Sequence, residues 1–134
     1  MQSGPHMHRC LIVDDHDDGR DGFREYLESF EFEVTGTATA EQALGAMRRR
    51  RYDLLIVDLQ LPGMDGWEYI RTVRRSARQR HVPIIALSAC VYPEDRMRAE
   101  EAGCDAFLAK PCPPDQLLAT VRRLLSPDLT RRSA

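Results

Sequence analysis

Between Tyr52 and Asp65 the chain reads YDLLIVDLQLPGMD, and no other stretch restricts the possible folds as much. Leu54, Leu55, Ile56 and Val57 are apolar without alternation and close on a single carboxylate, Asp58. An unbroken run of this length suits a strand buried on both faces of a parallel sheet. Pro62-Gly63 then turns the chain out of the sheet. Asp58 is therefore predicted at the strand's carboxyl end, the edge where open α/β sheets bind ligands. A carboxylate is costly there unless something pairs with it, so its partners must be sought elsewhere in the chain.

At 134 residues the chain is one domain by length, large enough to bury roughly two-thirds of its unfolded surface without staples. Hydrophobic residues at 43% and charged residues at 30% are ordinary globular values. No apolar run approaches the roughly 20 residues that cross a bilayer, so a soluble, cytoplasmic domain is expected. The net charge of −2 offers no electrostatic case for binding nucleic acid or a membrane. Cys10, Cys90, Cys104 and Cys112 form neither a CxxC pair nor a metal-site pattern and follow no secretory signal, so they read as reduced thiols. Residues 1–6, MQSGPH, read as a tag remnant, residues 7–126 as the domain and residues 127–134 as a C-terminal tail.

The strand-then-carboxylate pattern occurs first at Cys10 to Val13, which ends in Asp14-Asp15. Phe23, Leu27 and Phe30 follow at helical spacing, with Asp17 and Asp18 where a helix N-terminus favours negative charge. Phe32 to Thr37 is a second strand. Thr39-Ala40-Glu41-Gln42 has the form of a capping box, starting a helix that turns Ala43, Leu44 and Met47 inward. Arg48 to Arg51 reads as the solvated end of that helix rather than an anion site, because a helix C-terminus favours cations. Trp67, Ile70 and Val73 space a third helix. Pro83 to Leu87 is a fourth strand, ending in Ser88. A fourth helix begins at Pro93 and stops at Ala102-Gly103. Ala106 to Ala109 is a fifth strand ending in Lys110-Pro111, and Pro113-Pro114 opens a last helix striped by Leu117, Leu118, Val121, Leu124 and Leu125. Five strands alternating with five helices imply a doubly wound α/β fold, a parallel sheet covered on both faces.

Asp14, Asp15, Asp58, Ser88 and Lys110 all follow strands, and in a parallel sheet strand ends of one sense share one edge. Three carboxylates so gathered repel one another, so a proton or a cation must join them. An all-oxygen site with few protein ligands suits Mg2+, which keeps several waters and often binds carboxylates together with a phosphate. Lys110 adds a point charge and Ser88 a hydroxyl donor. The parts suit formation of an aspartyl phosphate on Asp58.

LIVDDHDD, LLIVDLQLPGMDGWE, PIIALSA and AFLAKP, in this order and spacing, resemble the receiver domain of two-component response regulators, from Arg9 to Leu125. The resemblance implies a flavodoxin-like (βα)5 fold with strand order 2-1-3-4-5. It implies that Asp58 accepts a phosphoryl group from a histidine kinase or histidine phosphotransfer protein. Asp15, Asp58 and the Gln60 backbone carbonyl would hold Mg2+, with Asp14 assisting indirectly. Ser88 and Lys110 would bind the phosphoryl oxygens, across a cis Lys110-Pro111 bond, and Phe107 would move inward behind Ser88. Gln60 and Cys90 would tune hydrolysis of the phosphoryl group, and because Cys90 cannot position water as a carboxylate does, slow self-dephosphorylation is expected. Output would pass through the α4-β5-α5 face, with Arg96, Arg98, Phe107 and Gln116 as candidates, to a protein partner or fused output domain.

Each residue also has a plainer reading. Asp14 and Asp15 can cap a helix, Ser88 can do the same, Lys110 can be an ordinary surface lysine and Phe107 a core aromatic. Phe107 lacks a hydroxyl, which excludes hydrogen-bonded signalling through it. His16 reads as a solvated loop residue, and His81 has no assignment. Two other functions compete with the receiver reading. One is a receiver-like module that binds partners without phosphorylation, against which the complete Asp14, Asp15, Asp58, Ser88 and Lys110 set argues. The other is an Mg-dependent aspartyl-nucleophile phosphatase of the haloacid dehalogenase type, which needs an Asp where this chain has Gln60. A signalling module that is not an enzyme is therefore expected.

Overall fold

Leu54, Leu55, Ile56 and Val57 are all fully buried in a computed structural model that describes residues 7–126. The expected tag remnant and C-terminal tail lie outside the described residues. Strand and helix alternate as β1 (Arg9–Val13), α1 (Asp17–Glu28), β2 (Glu33–Thr37), α2 (Ala40–Arg49), β3 (Leu54–Asp58), α3 (Gly66–Arg75), β4 (Ile84–Ser88), α4 (Pro93–Ala102), β5 (Ala106–Ala109) and α5 (Pro114–Leu125). All strand pairs are parallel, in the order β2-β1-β3-β4-β5. This is the flavodoxin-like order.

The missing alternation in β3 has a direct cause in the two cores. Successive strand residues point to opposite faces. Leu55 and Val57 pack with Leu11, Val13, Ile84 and Ala86 against Ala43, Met47, Ile70 and Val73 of α2 and α3. Leu54 and Ile56 pack with Cys10, Ile12, Ile85 and Leu87 against Leu27 of α1 and Leu117, Val121 and Leu124 of α5. Both faces are dry, so both sets must be apolar. At the sheet edge, β2 is only partly buried and carries Glu33 and Gly36 in place of a continuous apolar run.

Helix boundaries follow local chemistry. The Thr39 hydroxyl accepts from the Gln42 N–H at 3.1 Å, and the Gln42 side chain reaches back one residue further than the motif implies, accepting from Ala38 N–H at 2.9 Å. Asp65 caps α3 through the Glu68 N–H at 2.8 Å. Pro93 opens α4 and Gly103, at φ 116°, closes it in the left-handed region. The Lys110-Pro111 bond is cis.

Phe30 departs from the reading at helical spacing. Helix α1 stops at Glu28, and Phe30 lies beyond it, 40% exposed, 5.1 Å from the Tyr26 ring and 5.2 Å from the Arg122 guanidinium. Glu31, at φ 71°, swings the chain back toward β2, and Phe32 takes the buried place instead.

Candidate functional site

Two parallel strands, β1 and β3, deliver the acidic residues to one edge. In-register pairing of Val13 with Val57 sets the β1 and β3 ends side by side, so Asp14 follows one strand where Asp58 closes the other. Both side chains are buried, 1% and 2% exposed, while Asp15 is about one-third exposed. Lys110, after β5, reaches across the edge. Its Nζ lies 3.1 Å from Asp14 Oδ2 and 3.0 Å from Asp58 Oδ2. Lys110 is also the only lysine in the chain, every other fixed cation being an arginine. A compact ammonium fits between two carboxylates where a planar guanidinium would not.

Asp58 is held at both oxygens, Oδ2 by Lys110 and Oδ1 by the Gln60 backbone N–H at 2.9 Å. Burial lifts its carboxyl above the ordinary value of 3.8; the Gln60 N–H and Lys110 oppose the lift, and the Asp14 charge adds to it. Lys110 shows the converse balance. Burial works to lower it, but the Asp58 and then the Asp14 carboxylates outweigh burial and hold the ammonium above 10.5. Asp14 is fixed from behind: its N–H donates to the Thr37 carbonyl at 3.0 Å and its own carbonyl accepts from Arg20 Nη1 at 2.9 Å. The Arg20 stem lies over Gly36, the one β2 residue whose missing side chain leaves room for it.

His16 belongs to the cluster, contrary to its reading as a solvated loop residue. The ring is 69% exposed, yet Nδ1 stands 3.2 Å from Asp14 Oδ1, 3.3 Å from Asp15 Oδ1 and 3.9 Å from Asp58 Oδ2. It occupies the N-cap of α1 without capping the helix through its side chain, which frees the imidazole to face the carboxylates. Ligand atoms of Asp14, Asp15, His16 and Asp58 lie within 4.8 Å of one another. The three carboxylates are hard oxygen donors gathered with only the Lys110 ammonium to offset them, and they fit a divalent cation of the Mg2+ kind.

Ser88 ends β4 fully buried, and its hydroxyl engages the Gln60 side chain and the backbone of Cys90. Phe107 is already buried at 8% exposure, with the Arg96 guanidinium 4.8 Å from its ring centroid. Arg98 turns away from β5 and stacks on Trp67 of α3 at 4.1 Å. Cys90 and Gln60 are exposed on the β4α4 and β3α3 loops, and Gln116 on α5. Neither loop contact of Gln60 nor the turn of Arg98 was legible from spacing, because both depend on side-chain directions across elements. His81 lies at the opposite end of the sheet, beside Arg74 and Arg80.

A doubly wound sheet in this order, with a lysine-bridged acidic pocket at its carboxyl edge, defines a class of phosphoryl-responsive α/β domains. The chain belongs to the response regulator receiver domain family, whose description matches residues 10–122. It is 37% identical over 117 residues to the response regulator Rre1 of Synechocystis, covering 87% of this chain and 51% of that one, so it spans about half of that relative. It is 30% identical to the polar-differentiation response regulator DivK of Brucella anthropi, covering 86% of this chain and 94% of DivK. The receiver domain of a Pseudomonas aeruginosa sensor histidine kinase, crystallised with a magnesium ion in its active-site cleft, superposes with a TM-score of 0.82 at 32% identity, covering 90% of this chain and 98% of that one. Among the described residues no helix is long and apolar enough to cross a membrane.

Proposed function

We propose that residues 7–126 form one cytoplasmic receiver unit in which Asp58 accepts a phosphoryl group, donated by a histidine kinase or histidine phosphotransfer protein, and thereby changes which partner the domain binds. The observation that carries this reading is the setting of Asp58: buried at a strand end, gripped by Lys110 at 3.0 Å and the Gln60 N–H at 2.9 Å, and facing Asp14 and Asp15. In the transfer, a carboxylate oxygen of Asp58 attacks phosphorus and the P–N bond of a phosphohistidine breaks. The electron pair passes to the imidazole of the donor, which then takes a proton. Lys110 offsets the charge spread over the phosphoryl oxygens, and the backbone N–H of Gln60, two residues on, keeps the attacking carboxylate oriented.

Asp15, Asp58 and the Gln60 carbonyl, with Asp14 indirectly, are the residues that would hold Mg2+, and His16 lies against the same carboxylates. When bound, the ion neutralises charge on the transferring phosphoryl oxygens. The product adds about −1.5 to −2 of charge at Asp58. Ser88 and Lys110 then supply donors to it. A shift from 1:99 to 99:1 requires about 5.5 kcal/mol, and a hydrogen bond to a charged group gives roughly 1.5–3 kcal/mol. Ser88 alone is insufficient, so Lys110 and the β4α4 loop share the work. Output through α4, β5 and α5 would involve Arg96, Phe107 and Gln116, whereas Arg98 faces α3.

Intact mass after incubation with Mg2+ and acetyl phosphate tests the central step. Wild type gains one phosphoryl group and Asp58→Asn gains none; equal labelling of both proteins, or none in wild type with a cognate donor supplied, refutes it. Cys90 predicts a long-lived phosphoryl group, and Cys90→Glu shortens its life. A wild-type half-life of seconds, unchanged by Cys90→Glu, would contradict that.

A further inference from the structure

The Ser88 hydroxyl has no unused hydrogen-bonding capacity. It accepts from Gln60 Nε2 at 3.0 Å and from the Cys90 N–H at 3.0 Å, and it donates its one proton to the Cys90 carbonyl at 2.9 Å. A hydroxyl offers two acceptor positions and one donor, so all three are filled. Gln60 Oε1 sits 3.2 Å from the same oxygen and accepts from the Ala89 N–H at 3.4 Å. The opposite amide orientation would set two donors against each other at Ala89, so the backbone dictates that the amide oxygen faces the Ala89 N–H, with the hydroxyl within reach of both ends of the amide.

Gln60 thus touches both ends of the expected switch. Its backbone N–H binds the Asp58 carboxylate, and its side chain covers the buried Ser88 hydroxyl and the first residue of the β4α4 loop. We propose that the Gln60 side chain is a brake on this domain: it fixes Ser88 and the β4α4 loop in the unphosphorylated arrangement, and its release is a required step of switching. The proposal rests on Asp58 being the phosphoryl acceptor and adds a positioning residue to it. Because the Gln60 side chain is exposed, it exchanges Ser88 for water on release, and a neutral hydrogen bond between such groups is modest. The brake therefore sets a threshold and does not lock the domain.

Cys90 provides a readout that needs no phosphoryl donor. It is exposed, and its N–H and carbonyl both bind the hydroxyl that Gln60 holds. The other thiols are poorly placed to react: Cys10 and Cys112 are buried, and burial pushes the Cys104 thiol up to about 11. The experiment is alkylation of metal-free protein by iodoacetamide, resolved at Cys90 by peptide mass, in wild type, Gln60→Met, Gln60→Asn, Ser88→Ala and the Gln60→Met/Ser88→Ala double variant. Methionine matches glutamine in length without its polar atoms, and asparagine keeps the amide one methylene short of Ser88.

Cys90 reacts about threefold to tenfold faster in both Gln60 variants, as the loss of one or two modest hydrogen bonds predicts. Ser88→Ala also accelerates Cys90, and the double variant falls short of the product of the two single effects, since the Gln60–Ser88 contact is lost in each and counted once. An unchanged rate in Gln60→Met, or multiplied rates in the double variant, overturns the brake. With acetyl phosphate and Mg2+, Gln60→Met also labels faster than wild type, and this gain vanishes in the Ser88→Ala background; a gain that survives there overturns action through Ser88. If no variant is labelled by acetyl phosphate or by a cognate phosphohistidine donor, the Asp58 reading fails, and the brake is still decided by the Cys90 rates.

Discussion

Lys110 shares one ammonium between two buried carboxylates, at 3.1 Å from Asp14 and 3.0 Å from Asp58, and a third carboxylate, Asp15, stands beside them. One cation does not neutralise three anions. Burial first, and the Asp14 charge only after it, raises the Asp58 carboxyl against the pull of the Gln60 N–H and Lys110, so its charge costs the fold stability wherever it is ionised. Asp58→Asn removes the charge and leaves Lys110 its bond to Asp14. In metal-free buffer near neutral pH the variant should melt about 3–6 °C above wild type, because the burial cost of the Asp58 charge is gone while Lys110 keeps Asp14 as its partner. The sign with pH follows. A carboxyl with a raised folded value takes up its proton more readily folded than unfolded, so the cost is in force above that value and relieved as pH falls toward 3.8. The gap between variant and wild type should narrow on acidification; a constant gap by calorimetry would show that Asp58 charge is not its source. Gln60 and His16 show the other side of residue-scale reasoning. Their types gave no signal of their contacts, although His16 lies directly after Asp14-Asp15 and at a helix N-cap, which is a usable hint.

Helix α3 reaches the site only because Gly66 lets it. A Cβ on Gly66 would lie 2.5 Å from Leu59 Cα and 2.6 Å from the Asp58 carbonyl oxygen, backbone atoms of the strand end that carries the Asp58 carboxylate. Its conformation is not the reason, since the need is for close approach between helix and strand. Gly66→Ala should cost about 1–3 kcal/mol by overpacking and displace Asp58, so denaturant melts and phosphorylation by acetyl phosphate should both suffer; unaltered stability would mean that the α3 start yields without strain. At the far end of the same helix, Arg74 donates to the carbonyls of Gly103, Arg80 and Val82 and to Asp105, joining α3 to the end of α4 and the starts of β4 and β5. Gly103 is held to glycine twice, by its left-handed backbone and by the Arg74 stem 2.8 Å from where a Cβ would sit. Sequence spacing identified the helix and its stop but not this clamp.

For the molecule as a whole, a divalent ion held by the acidic edge would couple its binding to folding. A ligand that binds only the folded state stabilises it by about 2.7 kcal/mol at a hundred times its dissociation constant. Saturating Mg2+ should therefore raise the melting temperature of wild type, and raise it much less in Asp15→Asn, where one acidic donor is gone. An equal rise in both proteins would place the ion elsewhere. The order of elements, the parallel sheet and the strand-end positions of Asp14, Asp15, Asp58, Ser88 and Lys110 were determined by the sequence itself. Short runs apolar on both faces, set between helical patterns, suit strands between helix layers, and the polar residue that ends such a run then falls at the sheet edge. Tertiary structure alone decided that His16 faces the carboxylates, that Phe30 yields its buried place to Phe32, that Arg98 stacks on Trp67 and that Gln60 covers Ser88. Those contacts join residues up to dozens of positions apart through side-chain rotamers and loop paths, and these take shape only when the packed elements leave them a single place to go.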